Sequence, residues 1–141
     1  MNSRLSRVRP LLLVLAVALA INNAWAKEVS GPRIYSDVRV VEEGRDLAGT
    51  ELDLKIEGSV ATGVLRIYDG RCAEPVPVAG SFSGNTIHVS GEGQGFGKIE
   101  ITGSVHSGRL GQGDHFDGTL RLERNHTTEK IRLKRITKPH C

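Results

Sequence analysis

Four polar side chains in the middle of the chain have the types and spacing to do chemistry together: Ser81, His88, Glu100 and His115. Two imidazoles flanking a carboxylate can hold a divalent metal ion or exchange protons in acid–base catalysis. The segment 114–117 (DHFD) adds two further carboxylates beside the second histidine. For this chemistry the four residues must meet, so the elements that carry them must place them in one row.

The first part of this row depends on two hairpins. Gly84-Asn85 separates two runs in which apolar and polar residues alternate, and a two-residue turn there pairs Ser81 with His88. The segment 91–97 (GEGQGFG) predicts a longer loop, which puts His88 opposite Glu100. Directly opposed residues have Cβ atoms about 4.5–5.5 Å apart, so such side chains can share a ligand.

The second part of the row depends on a two-residue turn at Ser107-Gly108, which would place Glu100 opposite His115. The same alignment points Gln112 and Asp114 inward, where polar groups are costly unless they are paired. A bulge near these residues would remove the conflict and move His115 by one position. Alternatively, Gln112 and Asp114 line a small polar pocket inside the fold. A third interpretation makes the whole row an ordinary set of surface contacts.

No catalytic motif supports an enzyme. Segment 80–84 (GSFSG) lacks the spacing of a nucleophile elbow, and segment 91–97 matches neither a dinucleotide-binding fingerprint nor a P-loop. H-E-x-x-H motifs and cysteine pairs at metal-binding spacing are also missing from the sequence. We therefore predict a protein that is not an enzyme and has no cofactor or bound metal. A metal-dependent enzyme built on His88, Glu100 and His115 is kept as an alternative.

The alternation predicts an all-β fold: a single-domain antiparallel meander of about eight short strands. The clearest strand is Thr50–Glu57, where every second residue from Leu52 to Ile56 faces inward. The first strand is predicted at Ile34–Val41, with residues 34, 38 and 40 as its inward set. Regular spacing of strands and turns favours a barrel or a sandwich.

A soluble barrel of lipocalin-like or avidin-like architecture fits this pattern better than a membrane barrel. Membrane barrels need strands of about 9–11 residues and girdles of aromatic residues. The strands predicted here are nearer seven residues, and only five aromatic residues follow position 26. The chain carries no residue motif of the lipocalins or the avidins.

Residues 1–26 match a cleaved export signal. Three arginines precede an apolar run, Leu11–Ile21, and Ala24-Trp25-Ala26 supplies the small-x-small cleavage site. The run has 11 residues, fewer than the ~20 needed to span a bilayer. We therefore predict a signal peptide at 1–26, a barrel domain at 27–141, a periplasmic or secreted location, and no membrane-embedded segment after cleavage.

Net charge argues against a nucleic-acid partner. Without residues 1–26 the chain has 16 basic and 16 acidic side chains, whereas nucleic-acid binders usually carry a basic excess. Segment 121–138 holds seven basic residues and two acidic ones. This run is interpreted as a solvated strand face, with a patch for an anionic partner as the alternative.

Two cysteines, Cys72 and Cys141, favour a disulfide in an exported protein. In an up-and-down meander Cys72 lies at the opposite end of the sheet from the end of the last strand. The tail 137–141 would therefore have to fold back to reach it. A free terminal thiol and an intermolecular bridge are the alternatives. The remaining histidines, at 106, 126 and 140, are predicted to be exposed.

These features predict a small exported binding or interaction protein. Its partner would be a small apolar ligand inside the barrel or a protein of the envelope or secreted fraction. An interior cavity and a packed interior are both compatible with the aliphatic core. The alternative is an inhibitor of a secreted hydrolase, which would present the Asp69–Pro75 and Gly91–Gly97 loops at one end of the barrel.

Overall fold

The computed structural model describes residues 32–41, 46–108 and 113–141. The predicted signal peptide, Met1–Ala26, and the candidate residue Gln112 lie outside these ranges. Nine strands follow one another along the chain: β1 (Arg33–Ser36), β2 (Arg39–Val41), β3 (Asp46–Glu57), β4 (Val60–Asp69), β5 (Val76–Ser83), β6 (Thr86–Gly93), β7 (Gly97–His106), β8 (His115–Leu122) and β9 (Thr127–Ile136).

Eight of these strands form a closed antiparallel barrel, which confirms the predicted fold class. Strands β3 to β9 pair in sequence order, and β1 closes the ring by pairing with β9 on one side and β3 on the other. Strand β2 lies outside the ring and pairs with the first residues of β3. Because the ring is closed, its strands have no free edges that could pair with another chain.

Two-residue turns close two of the hairpins. Gly58-Ser59 joins β3 to β4, and Gly84-Asn85 joins β5 to β6; the second of these turns was predicted from the sequence. In each turn the glycine alone takes a positive φ, 61° at Gly58 and 64° at Gly84. Glycine at the first central position is the pattern of a type II′ turn, whose twist matches that of the flanking strands.

The barrel interior is a packed core. Inward side chains from the ring strands meet in one contiguous hydrophobic cluster that includes Leu52, Leu54, Leu65, Ile87 and Ile101. An eight-stranded barrel is just wide enough for its own side chains to fill. Of the two interiors that the sequence left open, the cluster of buried side chains corresponds to the packed one.

The first predicted strand is wrong in its inward set. The chain bends at Asp37-Val38, so the segment forms two short strands, β1 and β2, that pair with different parts of β3. Tyr35 points into the barrel and is fully buried, whereas Val40 is 66% exposed. Strand β2 lies outside the ring, so its valines have no interior to enter.

The Tyr35 hydroxyl is the one buried side-chain polar atom among the described residues that has no hydrogen-bond partner. Its ring packs beside Phe116, with centroids 6.3 Å apart. A buried hydroxyl without a partner costs about 1–3 kcal/mol. We expect Tyr35→Phe to raise the free energy of unfolding in urea by about 1 kcal/mol. A lower stability for this variant would show that the hydroxyl has a partner.

The predicted disulfide between Cys72 and Cys141 is present, with Cα atoms 5.9 Å apart. Cys72 lies in the connection after β4, and the last strand ends at the opposite end of the barrel. The tail 137–141 folds back along the outer face to reach it, and His140 contacts Glu51 of β3 on the way. Within the described residues, no helix is long and apolar enough to cross a membrane.

Candidate functional site

The predicted row of Ser81, His88, Glu100 and His115 is only partly assembled. Ser81 lies opposite His88, as predicted. The next hairpin turns at residues 94–96 rather than across the whole of 91–97, because β6 continues to Gly93. The register therefore shifts by two residues, and His88 lies opposite Thr102. Its Nδ1 is 2.8 Å from the Thr102 hydroxyl oxygen.

Glu100 belongs to a group of ion pairs and contacts neither candidate histidine. It lies opposite Ser90 on β6 and Arg121 on β8. Its carboxylate is 2.8 Å from Lys98 Nζ and 3.6 Å from Arg121 Nη1. The hydrogen bond and the charge of Lys98 lower the pKa of Glu100 below its usual value. Glu100 is therefore a solvated, ionised surface carboxylate and is removed from the candidate metal ligands.

His115 was predicted to lie opposite Glu100, but it lies opposite a histidine. The connection between β7 and β8 spans residues 107–114, so the predicted two-residue turn at Ser107-Gly108 is wrong. The longer connection shifts the register and places His115 opposite His106. Their rings stack with centroids 4.9 Å apart and planes 18° from parallel. The prediction that His106 is an exposed turn residue is wrong, because it is half-buried at the end of β7.

Asp117, two residues after His115 on the same face of β8, completes a cluster with the two rings. Its Oδ2 lies 3.2 Å from His115 Nε2 and 3.9 Å from His106 Nε2. Arg132 of β9 is directly opposite, with Nε 3.5 Å from Asp117 Oδ1. Two imidazoles and one carboxylate thus converge on the outer face, in place of the predicted row.

Asp114 lies at the mouth of the barrel and does not line an interior pocket. Its Oδ2 is 2.7 Å from Arg135 Nη1, and its Oδ1 accepts a hydrogen bond from the Gly108 amide at 3.1 Å. It borders an open groove of about 540 Å³ whose other walls include Ile34 and Ile136. The polar-pocket interpretation is therefore wrong for Asp114, which sits in a surface ion pair.

Arg135 and the Gly108 amide both lower the pKa of Asp114. An NMR titration of its carboxyl carbon is expected to give a value below the usual ~3.9. Arg135→Gln should move that value upward, because the main stabilising contact of the ionised form is lost. Since the folded-state pKa is depressed, the pair stabilises the fold above pH ~4 and stops doing so as the pH falls through the folded pKa. An unchanged titration in Arg135→Gln would contradict this account.

A buried carboxylate lies on the outer face under the C-terminal tail. Glu51 is fully buried, and its Oε1 accepts hydrogen bonds from Arg66 at 3.2 Å and Tyr68 at 3.4 Å. Its Oε2 accepts the backbone N–H of His140 at 3.1 Å and lies 2.7 Å from the His140 ring nitrogen. Burial, followed by the Glu51 charge, raises the pKa of the Tyr68 hydroxyl. His140 is exposed, as predicted, and its inner side contacts this carboxylate.

One large part of the outer surface has no charged side chains. Strands β4 to β8 present there only valine, threonine, serine, alanine and histidine, and we call these twelve residues the uncharged face. They are Val60, Thr62, Val64, Ala79, Ser81, Ser83, Thr86, His88, Ser90, Thr102, Ser104 and Thr119. No ion pair found among the described residues includes any of them.

The outer surface thus carries a convergent His–His–Asp cluster, a buried carboxylate under the tail and an uncharged face. Of the residues first considered for a site, Ser81 and His88 lie together in the uncharged face, and His115 lies in the cluster. Comparison of the chain with family models, curated proteins and solved structures returned no match. The case for a function rests on these three arrangements.

Proposed function

We propose that this protein is a small exported binding protein without enzymatic activity, and that a protein partner docks on the uncharged face. The absence of charge from this face is the observation that carries the proposal. The centres of protein–protein interfaces are depleted of charged residues, because each charge buried there loses its hydration. The packed interior supports the same conclusion, since it leaves the outer surface to do the binding.

The size and composition of the uncharged face suit a protein partner. Its central row runs from Val60 through His88 to Thr119 across five strands. At about 4.8 Å between strands this row is about 19 Å wide. The flanking rows, Thr62–Ala79–Ser90 and Ser83–Thr86–Ser104, are uncharged across three strands and end at Glu100 and Asp117, so charged residues form the rim of the face. Val60 is 52% exposed and offers an apolar anchor.

The chemistry of the face also defines the partner. Exposed hydroxyls of Ser81, Thr62 and Thr86 need hydrogen-bond partners once they are covered. A complementary surface therefore offers uncharged donors and acceptors around apolar contacts. A nucleic acid or an anionic membrane is disfavoured here, because both are held by lysine and arginine side chains, which the face lacks.

A single charge at the centre of the face tests the proposal. We expect the tagged protein, extracted gently from the cells that make it, to migrate on native gels as a complex larger than the monomer. Ser81→Arg should return it to the monomer position, because the new charge would be buried without a partner. Arg39→Glu, on β2 outside the ring, changes the charge of an exposed side chain away from the face and should leave the complex intact. Persistence of the complex in Ser81→Arg would refute the proposal, as would a wild-type chain that is monomeric throughout.

A hydrolase inhibitor is the second candidate, and the disulfide favours it. The connection 70–75 is held by the Cys72–Cys141 bond, and it lies at the same end of the barrel as the 94–96 turn. A loop held rigid in this way loses little entropy when it docks. Stoichiometric inhibition of a secreted hydrolase that is abolished by Arg71→Ala and Gln94→Ala together would support this candidate. Inhibition that survives both changes would exclude these loops.

The predicted cleavage of the export signal can be tested by measuring the mass of the mature protein. Intact-protein mass spectrometry of the chain expressed in a bacterial host with a functional signal peptidase should find a mature form beginning at Lys27, because the small-x-small site ends at Ala26. The pair Ala24→Arg and Ala26→Arg should leave the precursor uncut. A mature form that retains residues 1–26 would contradict export through this signal.

A further inference from the structure

We propose that His106, His115 and Asp117 form a binding site for a divalent first-row transition metal ion, with Zn²⁺ as its representative. This site is separate from the uncharged face and does not depend on the docking proposal. The ligand set of two imidazoles and one carboxylate is one that Zn²⁺, Cu²⁺ and Ni²⁺ accept.

The distances suit a small ion. One ligand atom from each of the three side chains lies within 4.8 Å of the other two. Bonds of about 2.0–2.2 Å in a tetrahedral arrangement place neighbouring ligand atoms roughly 3.3 Å apart. The His115–Asp117 separation is already 3.2 Å, and the His106–Asp117 separation is 3.9 Å. The His106 and Asp117 side chains are partly exposed, so they are free to rotate, and the His106 ring must also tilt out of its stacked position to aim its nitrogen at the ion.

Two hydrogen bonds of His115 favour the tautomer whose Nε2 lone pair faces Asp117. Its Nδ1 lies 3.4 Å from the Gly113 carbonyl oxygen, to which it donates. Its Nε2 then carries the lone pair, and it accepts a weak hydrogen bond from Arg132 at 3.4 Å. Metal-binding histidines typically donate their second nitrogen to a carbonyl or a carboxylate in this way.

The contact between His115 and Asp117 can attract a cation. In the tautomer that donates Nδ1–H to Gly113, the Nε2 lone pair and the Asp117 carboxylate oxygen face each other at 3.2 Å, so a cation between them is attracted to both. The Arg132 guanidinium lies beside them and partly neutralises them. Its side chain is 68% exposed, so it can turn into solvent when an ion enters. Arg132 is therefore a competitor for the site, and removing it should tighten metal binding.

The scaffold holds the ligands in place. His106 and His115 are directly opposed on paired strands, and Asp117 follows two residues later on the same face. Sites on strands are better ordered than sites on loops. Three protein ligands on an open surface leave the remaining coordination positions to water. Hard ions such as Mg²⁺ and Ca²⁺ prefer all-oxygen sites and should bind poorly.

The test uses the tag-free mature chain and the metal alone. Isothermal titration with Zn²⁺ should give one site per chain, and Co²⁺ should produce visible absorption of a low-coordinate ion. His106→Ala, His115→Ala and Asp117→Asn should each weaken Zn²⁺ binding by roughly tenfold or more. Arg132→Gln should strengthen it, a result that adventitious binding to surface histidines would not give.

Matched controls separate this site from other histidines. His88→Ala removes an exposed imidazole from the uncharged face and should leave Zn²⁺ affinity unchanged. Thermal unfolding of each variant without metal shows that the barrel is intact. Absence of one-to-one binding in the wild type would overturn the proposal. Equal losses in His88→Ala and His106→Ala, or weaker binding in Arg132→Gln, would overturn it as well.

Discussion

Replacing Cys72 and Cys141 together by serine is expected to lower the free energy of unfolding by about 4 kcal/mol. The bond closes a loop of 69 residues, so in the chain-entropy model it restricts the unfolded ensemble strongly. A domain of this size has about 5–15 kcal/mol of stability in total, so the loss is a large share. Urea unfolding of the oxidised protein and of the double-serine variant measures it.

Local contacts of the tail provide the control for this prediction. His140 covers Glu51 through a backbone and a side-chain contact, and these contacts remain available when the disulfide is removed. His140→Ala in the oxidised protein should therefore cost less than the loss of the disulfide, because the backbone contact stays in place. If the double-serine variant lost less than about 1 kcal/mol, the chain-entropy account would be wrong for this protein.

Phe116→Ala is expected to lower the free energy of unfolding by about 3–5 kcal/mol. The ring is fully buried and lies over two glycines of the barrel wall. A methyl group added at Gly103 would come 2.5 Å from the Phe116 ring, and one at Gly118 would come 2.9 Å from it. The ring fills space that these two glycines leave open, so truncation creates a cavity that the rigid wall cannot close.

Alanine substitution of two half-buried phenylalanines provides the comparison with Phe116→Ala. Phe82 and Phe96 pack only partly against the core. Their replacement by alanine should cost clearly less than the replacement of Phe116, because part of each ring already contacts water. Denaturant midpoints for the three variants give the comparison directly. Equal losses at all three positions would mean that Phe116 does not occupy the core in this way.

The strands and their faces could be predicted from the sequence because alternation has a direct physical cause. Successive strand residues point to opposite sides, so Leu52, Leu54 and Ile56 were assigned inward and are buried. Glycine followed by a small polar residue located the turn at Gly84. Tyr35 was missed because the bend at Asp37 splits the first strand, and alternation across a bend changes face.

Register could not be predicted in the same way. A shift of two residues leaves every side chain on its original face, so alternation cannot detect it. Val89 was therefore expected opposite Ile99 but lies opposite Ile101. The next hairpin shifted by a further even number, which replaced the Glu100–His115 pair by His106–His115. Only the true length of each loop fixes these pairings.

The buried carboxylate shows a second limit of sequence patterns. Glu51 alternates with Leu52 and occupies an outward position, so its pattern is that of a solvated strand residue. It is buried because the tail folds over it, and the Cys72–Cys141 bond is the only feature of the sequence that indicates the course of the tail. Contacts made by a returning terminus have no local signature along the chain.

Site-specific photo-crosslinking in the cells that make the protein tests the docking face most directly. A photoreactive residue at position 81, in the centre of the uncharged face, should give one discrete adduct of defined mass with another protein. The same residue at position 39, on β2 outside the ring, should give none. Adducts from position 39 but not from position 81, or no adduct from either, would contradict a partner on this face.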